Sequence, residues 1–276
     1  MILREPCLPP GWYPRDRAKI TEFLEPISNP AASSASAVAP HAGWFYSGRT
    51  AAIAVSALQR EVETVVVIGG HLPKGMPILM AAEDGVKTPL GVMKIDGKLR
   101  EELKKHLETR PDRYEDNTVE VLLPMVHYFF PQAELLWLRF PAELSSFEAG
   151  KTLCLAAGEL GRSIAVLAST DLTHYGRNYG FSPKGSGKAA LEWVKKVNDA
   201  AFISAVLDGD PGEVLTRAEE DFSACSAGAV LGALGFASSH EKRAKLLDYR
   251  TSADAGMEDE IPDSFVGYTA IALGLS

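Results

Sequence analysis

The sequence predicts a three-layer α/β domain, a mixed and largely buried β-sheet with helices on both faces. Three observations carry this. Runs such as ETVVVIGG (63–70) and SIAVLAST (163–170) are strand-length, apolar and free of polar alternation, the pattern of strands covered on both faces. Such runs alternate with segments of helical period over most of the chain. No repeat or low-complexity linker divides the 276 residues, so a single domain over 1–276 is expected, long enough to bury a full core without disulfides.

The elements follow in order. After a Pro-rich start, RDRAKITEFLEPI spaces Ile20, Phe23, Leu24 and Ile27 as one face of a helix. ASAVAP (35–40) is a short apolar strand that ends at Pro40, and GRTAAIAVSALQR (48–60) is an Ala-rich helix leaving it. ETVVVIGG comes next, then a strand in MPILMAA, the turn TPLG and the strand VMKI. GKLREELKKHLE is an amphipathic helix with Leu99, Leu103 and Leu107 on one side. NTVEVLLPMVHYFF (117–130) is ambiguous, because its central Pro124 would kink a helix or end one. AELLWLRF is a strand, SSFEAGKTLCLAAGELG a helix and SIAVLAST a strand. GKAALEWVKKVNDAAFISAVL (187–207), PGEVLTRAEED and CSAGAVLGALGFAS read as three helices, and AKLLDYRTS and SFVGYTAIALGL close the chain as strands.

Composition narrows the function. Lys+Arg is 28 against Asp+Glu 36, a formal charge of −8 with no basic run, which disfavours nucleic acid as a partner. The longest apolar runs fall far short of the roughly 20 residues of a membrane helix. MILREPCLPPGWYPRD places charge and prolines where a signal peptide needs an apolar core, and three cysteines do not pair completely, so a cytoplasmic location is expected. GSGKAA resembles the tail of a phosphate loop, but Ser182 stands at the upstream Gly position and Ala189 replaces Ser/Thr. No G-x-S-x-G is present, which lowers the case for an α/β-hydrolase.

Of six histidines, His106 and His240 sit in charged or polar context, and His127 is expected to pack with neighbouring aromatics. The other three share a context: His41, His71 and His174 each follow the end of a predicted strand. Open α/β sheets hold their ligands beyond the carboxyl ends of their strands. Any one of them alone reads better as a loop or capping histidine, but converging imidazoles have few purely structural uses and are common metal ligands. Asp171 reads either as a helix N-cap or as the partner of His174, with i, i+3 spacing on a first helical turn suiting an oriented general base or a further ligand. Cys225 falls near the predicted start of a helix, where free N–H groups favour a thiolate, a nucleophile or soft ligand. Cys154 reads as core, and Cys7 lies in an uncertain terminal segment.

Five segments carry a family likeness: PPGWYPRD, APHAGWFYSG, TPLGVMKID, STDLTHYG and the closing LLDYRTSAD…SFVGYTAIAL. In their order and spacing the chain resembles the Memo proteins, called AmmeMemoRadiSam system protein B in bacteria and archaea. The resemblance implies a fold similar to class III extradiol dioxygenases, in which two histidines and a carboxylate hold non-heme Fe(II). It further implies a cleft with three histidines, an aspartate and a cysteine, which here are His41, His71, Asp171, His174 and Cys225. The chain departs from the family pattern at VIGGHLP, where G-P-x-H is usual, and at EDNTVEVLLP, where Asn117 replaces a histidine and Leu122 a polar residue while Glu120 is kept. These departures bear on the substrate pocket more than on the metal set.

Three readings stay open. In the first, His41, His71 and Cys225 bind iron or copper, with zinc also compatible, while Asp171 and His174 orient a substrate or move protons in a dioxygenase-related redox enzyme. In the second, the cleft holds a small molecule or peptide and the protein is a non-catalytic accessory of a radical SAM system. In the third, Cys225 and a histidine form a metal-free hydrolase, which ranks last because three histidines exceed the needs of a dyad.

Overall fold

The computed structural model describes residues 1–27, 33–240, 243–255 and 261–275. Its strands are β1 (Leu3–Arg4), β2 (Ser34–Ala39), β3 (Thr64–Leu72), β4 (Ile78–Met80), β5 (Gly85–Thr88), β6 (Gly91–Lys94), β7 (Thr109–Pro111), β8 (Glu134–Pro141), β9 (Ile164–Ser169), β10 (His174–Gly176), β11 (Ala244–Thr251) and β12 (Ser264–Leu275). The helices are α1 (Arg17–Leu24), α2 (Trp44–Ser56), α3 (Gly97–Leu103), α4 (Asn117–Glu120), α5 (Leu123–Phe129), α6 (Ser145–Glu159), α7 (Lys188–Trp193), α8 (Asp199–Asp208), α9 (Pro211–Glu220) and α10 (Ala227–Ala237).

The main sheet runs β10-β12-β2-β9-β3-β8-β4-β7, with β11 also paired to β12, and a small sheet β1-β5-β6 stands apart. Its centre, β2-β9-β3-β8, is parallel; β12 joins antiparallel on one side and β4 on the other, so the sheet is mixed α/β. Every residue of β2 and β9 is buried, as expected of strands without polar alternation that lie under helices on both sides. Helix α2 covers β2, β11 and β12, while α10 lies across β2, β9, β3 and β8 under α6. All eleven residues of α10 are buried. Its small residues permit this: a Cβ at Gly150 of α6 would strike the carbonyl of Gly232, so the two helices cross at backbone contact.

Several expectations shift. Helix α2 starts at Trp44, four residues before the predicted Gly48, because Gly43 turns the chain directly out of the Pro40–His41 exit and Trp44 N–H bonds the Trp12 carbonyl at 2.8 Å. The ambiguous 117–130 segment is two short helices, with Pro124 in the first turn of α5, where its missing N–H costs nothing. The predicted helix over 187–207 is broken into α7 and α8 by a π turn, Val194–Asn198. Asp171 and His174 share no helical turn. Residues 170–173 run as irregular chain, Leu172 N–H bonds the Gly267 carbonyl, and His174 opens β10 opposite Val266. Pairing with β12 supplies the backbone partners that a helix would otherwise provide. Among the described residues no helix is long and apolar enough to cross a membrane.

Candidate metal centre

The parallel register gathers the site. β2, β9 and β3 align Ala39 with Ser169 and Ile68 with Ala168, so the residues just past their carboxyl ends emerge along one edge. His41 leaves β2, Asp171 leaves β9, and His71 sits in an irregularity at the end of β3. Cys225 is brought to the same edge by its N–H, which bonds the Asp171 carbonyl at 3.2 Å, and by Ser226 N–H, which bonds Thr170 Oγ1 at 3.2 Å.

His41, His71 and Cys225 each offer a donor atom, and these atoms lie within 4.8 Å of one another. Cys225 Sγ is 3.3 Å from His41 Nε2, and the two imidazoles meet edge to face at 5.0 Å between centroids. Each ring has its other nitrogen occupied: His41 Nδ1 pairs with Ser169 Oγ at 2.9 Å and His71 Nδ1 with Asp116 Oδ2 at 3.2 Å. Partners of this kind orient imidazoles that hold a metal through Nε2. His71 has φ 58°, a left-handed conformation that a non-glycine residue adopts only where its surroundings impose it. Gly70, just before it, has no room for a side chain, because a Cβ there would lie within 3.0 Å of Cβ, Oγ and Cα of Ser226. The Gly-Gly departure of VIGGHLP is therefore what lets the end of β3 close on the segment that carries Cys225.

Charge is concentrated here. Burial opposes ionisation of the Cys225 thiol, but the His41 and His71 imidazoles overcome it and hold the thiol well below its ordinary range. Burial also works against charge on both rings. For His71, hydrogen bonds to Asp116 and Cys225 outweigh it and raise the ring to about 10. For His41, Asp171 and Cys225 outweigh it. The metal-free set is thus a thiolate between two imidazolium-prone rings; with their Nε2 protons displaced by a cation, the rings and thiolate become a donor set that suits a soft or borderline metal. Asp171 is buried, its Oδ1 accepts the His41 backbone N–H at 2.7 Å, and burial pushes its carboxyl up despite His41 and His174 nearby. His174 Nδ1–H donates to the Leu172 carbonyl at 3.0 Å, which leaves Nε2 as the nitrogen that can meet a ligand.

These residues open onto a cleft of about 800 Å³. Its walls include His41, His71, Asp171 and His174, with Trp12, Tyr46, Tyr179 and Tyr268; Cys225 is not among the described residues that line it. Asn117 is, and its Nδ2 donates to the His41 carbonyl at 3.1 Å. Leu122 is not a cleft residue: it is 1% exposed and packs in the main core, so that departure leaves the pocket untouched. Glu120 anchors the N-terminal arm, accepting from Cys7 N–H (2.8 Å), Leu8 N–H (3.1 Å) and Tyr13 O–H (2.7 Å), and that arm carries Trp12 to the cleft. Cys7 therefore belongs to this anchor, where burial and Glu120 push its thiol up to about 12.

Of the other histidines, His127 bonds Thr88 Oγ1 at 2.7 Å rather than an aromatic, and His106 is exposed beside Glu102 and Glu159. Those three form a second surface group with donor atoms in mutual reach. His240 is exposed as expected, while its neighbours Glu241 and Lys242 lie outside the described residues. Sequence reasoning missed Ser169, Asp116 and Arg139. Ser169 was readable as the residue before Thr170-Asp171, and Arg139 as a lone cation inside the apolar run ELLWLRF. Asp116 left no signal beyond standing next to Asn117.

The family model described as Memo-like protein matches residues 4–272. A MEMO1 family protein of Pyrococcus abyssi is 30% identical over 293 residues, covering 99% of each chain. A MEMO1 family protein of Pyrococcus horikoshii is 31% identical over 252 residues, covering 86% of this chain and 85% of that one. A solved structure of an uncharacterized protein from Escherichia coli K12 aligns with a TM-score of 0.43 at 14% identity, covering 85% of this chain and 98% of that one. The chain belongs to the Memo-like protein family.

Proposed function

We propose that the protein is a metal-dependent redox enzyme, related to the dioxygenases its family resembles, with an iron or copper ion held by His41, His71 and Cys225. The observation that carries this is the convergence of three donor atoms within 4.8 Å beside an open cleft, two of them on rings whose far nitrogens are already engaged. A bound iron or copper ion would supply one-electron chemistry and open coordination positions; zinc fits the donors equally but supplies no redox step. Around it, the Nε2 of His174 takes or returns a substrate proton. The buried carboxyl of Asp171 steadies charge on His41 and His174, both of which interact with it. Trp12, Tyr46 and Tyr179 give the cleft aromatic walls for a substrate to pack against. A Cys225 nucleophile is disfavoured, because a thiol–imidazole dyad needs one histidine, whereas two imidazoles stand within reach of the Cys225 sulfur.

The test is the metal content of anaerobically purified protein by elemental mass spectrometry, alongside His41→Ala and Cys225→Ser. The expected result is near-stoichiometric iron or copper, absent from both variants. Protein without metal that takes none up on reconstitution overturns the redox reading. It would leave a cleft that holds a small molecule or peptide, the role of an accessory to a radical SAM enzyme.

A further inference from the structure

Arg139 interrupts the apolar run of β8 and is 4% exposed. A guanidinium so placed needs partners, and two of its three, Gly70 and Asp116, adjoin or bond His71. Nε donates to the Gly70 carbonyl at 3.0 Å, Nη2 donates to Asp116 Oδ2 at 3.2 Å, and Nη1 lies 3.6 Å from Asp112 Oδ1. The Asp116 oxygen it holds is the one that pairs with His71 Nδ1. On the other side, Gly70 N–H donates to Thr118 Oγ1 at 3.2 Å, and Thr118 N–H donates to Asp116 Oδ1 at 2.8 Å. The residue before His71 is thus held at both its N–H and its carbonyl, and the ring is held by a carboxylate belonging to the same network.

We propose that Arg139 is a positioning residue of the metal centre, keeping His71 in its left-handed conformation and its Nδ1 turned to Asp116, so that Nε2 faces His41 and Cys225. In naming what His71 is positioned for, the inference rests on the metal reading above. Arg139 touches neither the cleft nor the donor atoms; it acts through Asp116 and Gly70. A planar fork is required, because one group must serve a carbonyl and a carboxylate at once, and the point charge of a lysine reaches only one of them.

The test compares full-length wild type, Arg139→Lys, Asp116→Asn and the double variant of the two, with Cys225→Ser as the control that lacks the thiolate band, by two readouts. The first, on metal-free protein, is the His71 Nδ1–H proton signal by NMR, which a hydrogen bond to a buried carboxylate protects from solvent exchange. The second is Co²⁺ titration, followed through affinity and the thiolate charge-transfer band. Arg139→Lys is expected to lose the protected His71 signal and to weaken Co²⁺ binding 10- to 100-fold, about the cost of removing an outer-sphere partner. Asp116→Asn should do the same, and the double variant should be little worse than either, because the two act as one unit. Asp116→Asn, which keeps the shape of the site, decides the matter if Arg139→Lys does not fold. Retention of both the signal and wild-type affinity in the folded variant overturns the proposal. If wild type binds no Co²⁺ yet the signal is lost in the variant, the metal reading fails and the positioning role stands.

Discussion

Gly70→Ala probes the step that brings β3 onto Cys225. The added methyl would lie within 3.0 Å of three atoms of Ser226, the closest of them Cβ and Oγ, with the backbone Cα at 2.9 Å. Carbon atoms in normal contact sit about 3.5–4.0 Å apart, so the two segments must separate by roughly 1 Å. Ser226 is 2% exposed and its backbone N–H is tied to Thr170 Oγ1, and the Cα and Cβ that the methyl would strike do not move with its rotamer. Overpacking of this kind costs about 1–3 kcal/mol, or roughly 2–12 °C in Tm for a chain of this size. The same displacement moves Cys225 away from His71, so metal affinity should fall together with stability. Gly158→Ala is the control: no atom lies within 4 Å of its Cβ, it is in α6, and exchange to alanine there should be neutral or stabilising by up to about 1 kcal/mol. Scanning calorimetry and Co²⁺ titration of both variants measure these effects. A Gly70→Ala protein with wild-type Tm and wild-type Co²⁺ affinity would refute the close-approach argument.

Three more outcomes follow from buried charges. Asp199 is fully buried, its carboxyl pushed up to about 6 by burial against hydrogen bonds from Thr173 and Tyr249. A raised acid contributes stability below its unfolded value near 4 and loses it as pH rises through about 6. Wild type should therefore lose about 3 kcal/mol relative to Asp199→Asn between pH 4 and pH 7 in parallel urea titrations, and a constant gap would contradict the shift. Glu120→Gln removes the charge from bonds to Cys7, Leu8 and Tyr13, so a loss of about 1–3 kcal/mol and faster amide exchange over residues 7–13 are expected; unchanged exchange there would show that the anchor is not Glu120. Arg162 bonds Asp96 at 2.8 Å and also pairs with Glu134, and Asp96 is 0% exposed. Arg162→Met leaves that carboxylate with the Thr64 hydroxyl and the Leu99 N–H but no cation, and should cost about 1–3 kcal/mol, read as a lowered urea midpoint with unchanged slope.

Much of the fold was legible because its signals are local. Uninterrupted β-branched runs, the Pro40 and Gly43 breaks and the helical spacing of apolar residues depend only on neighbours a few positions away, and they marked β2, β3, β8 and β9 within a residue or two. The helix boundaries that moved did so for tertiary reasons. The loss of a helical turn at Asp171–His174 occurs where β12 and the Asp199 carboxylate supply backbone partners from distant sequence.

The candidate site divides in the same way. The sequence by itself determined that His41 and His71 stand at strand ends, because a strand end is written in adjacent residues, whereas His174 proved to open β10. Only the tertiary structure decided that Cys225 meets His41 at 3.3 Å, that His71 takes φ 58°, and that Asp116 and Arg139 stand behind it. Those facts depend on the register of parallel strands and on a backbone approach between Gly70 and Ser226, residues 156 positions apart in sequence. Packing of that kind leaves no periodicity to read, only a pair of glycines and a lone buried arginine whose meaning appears once the chain is folded.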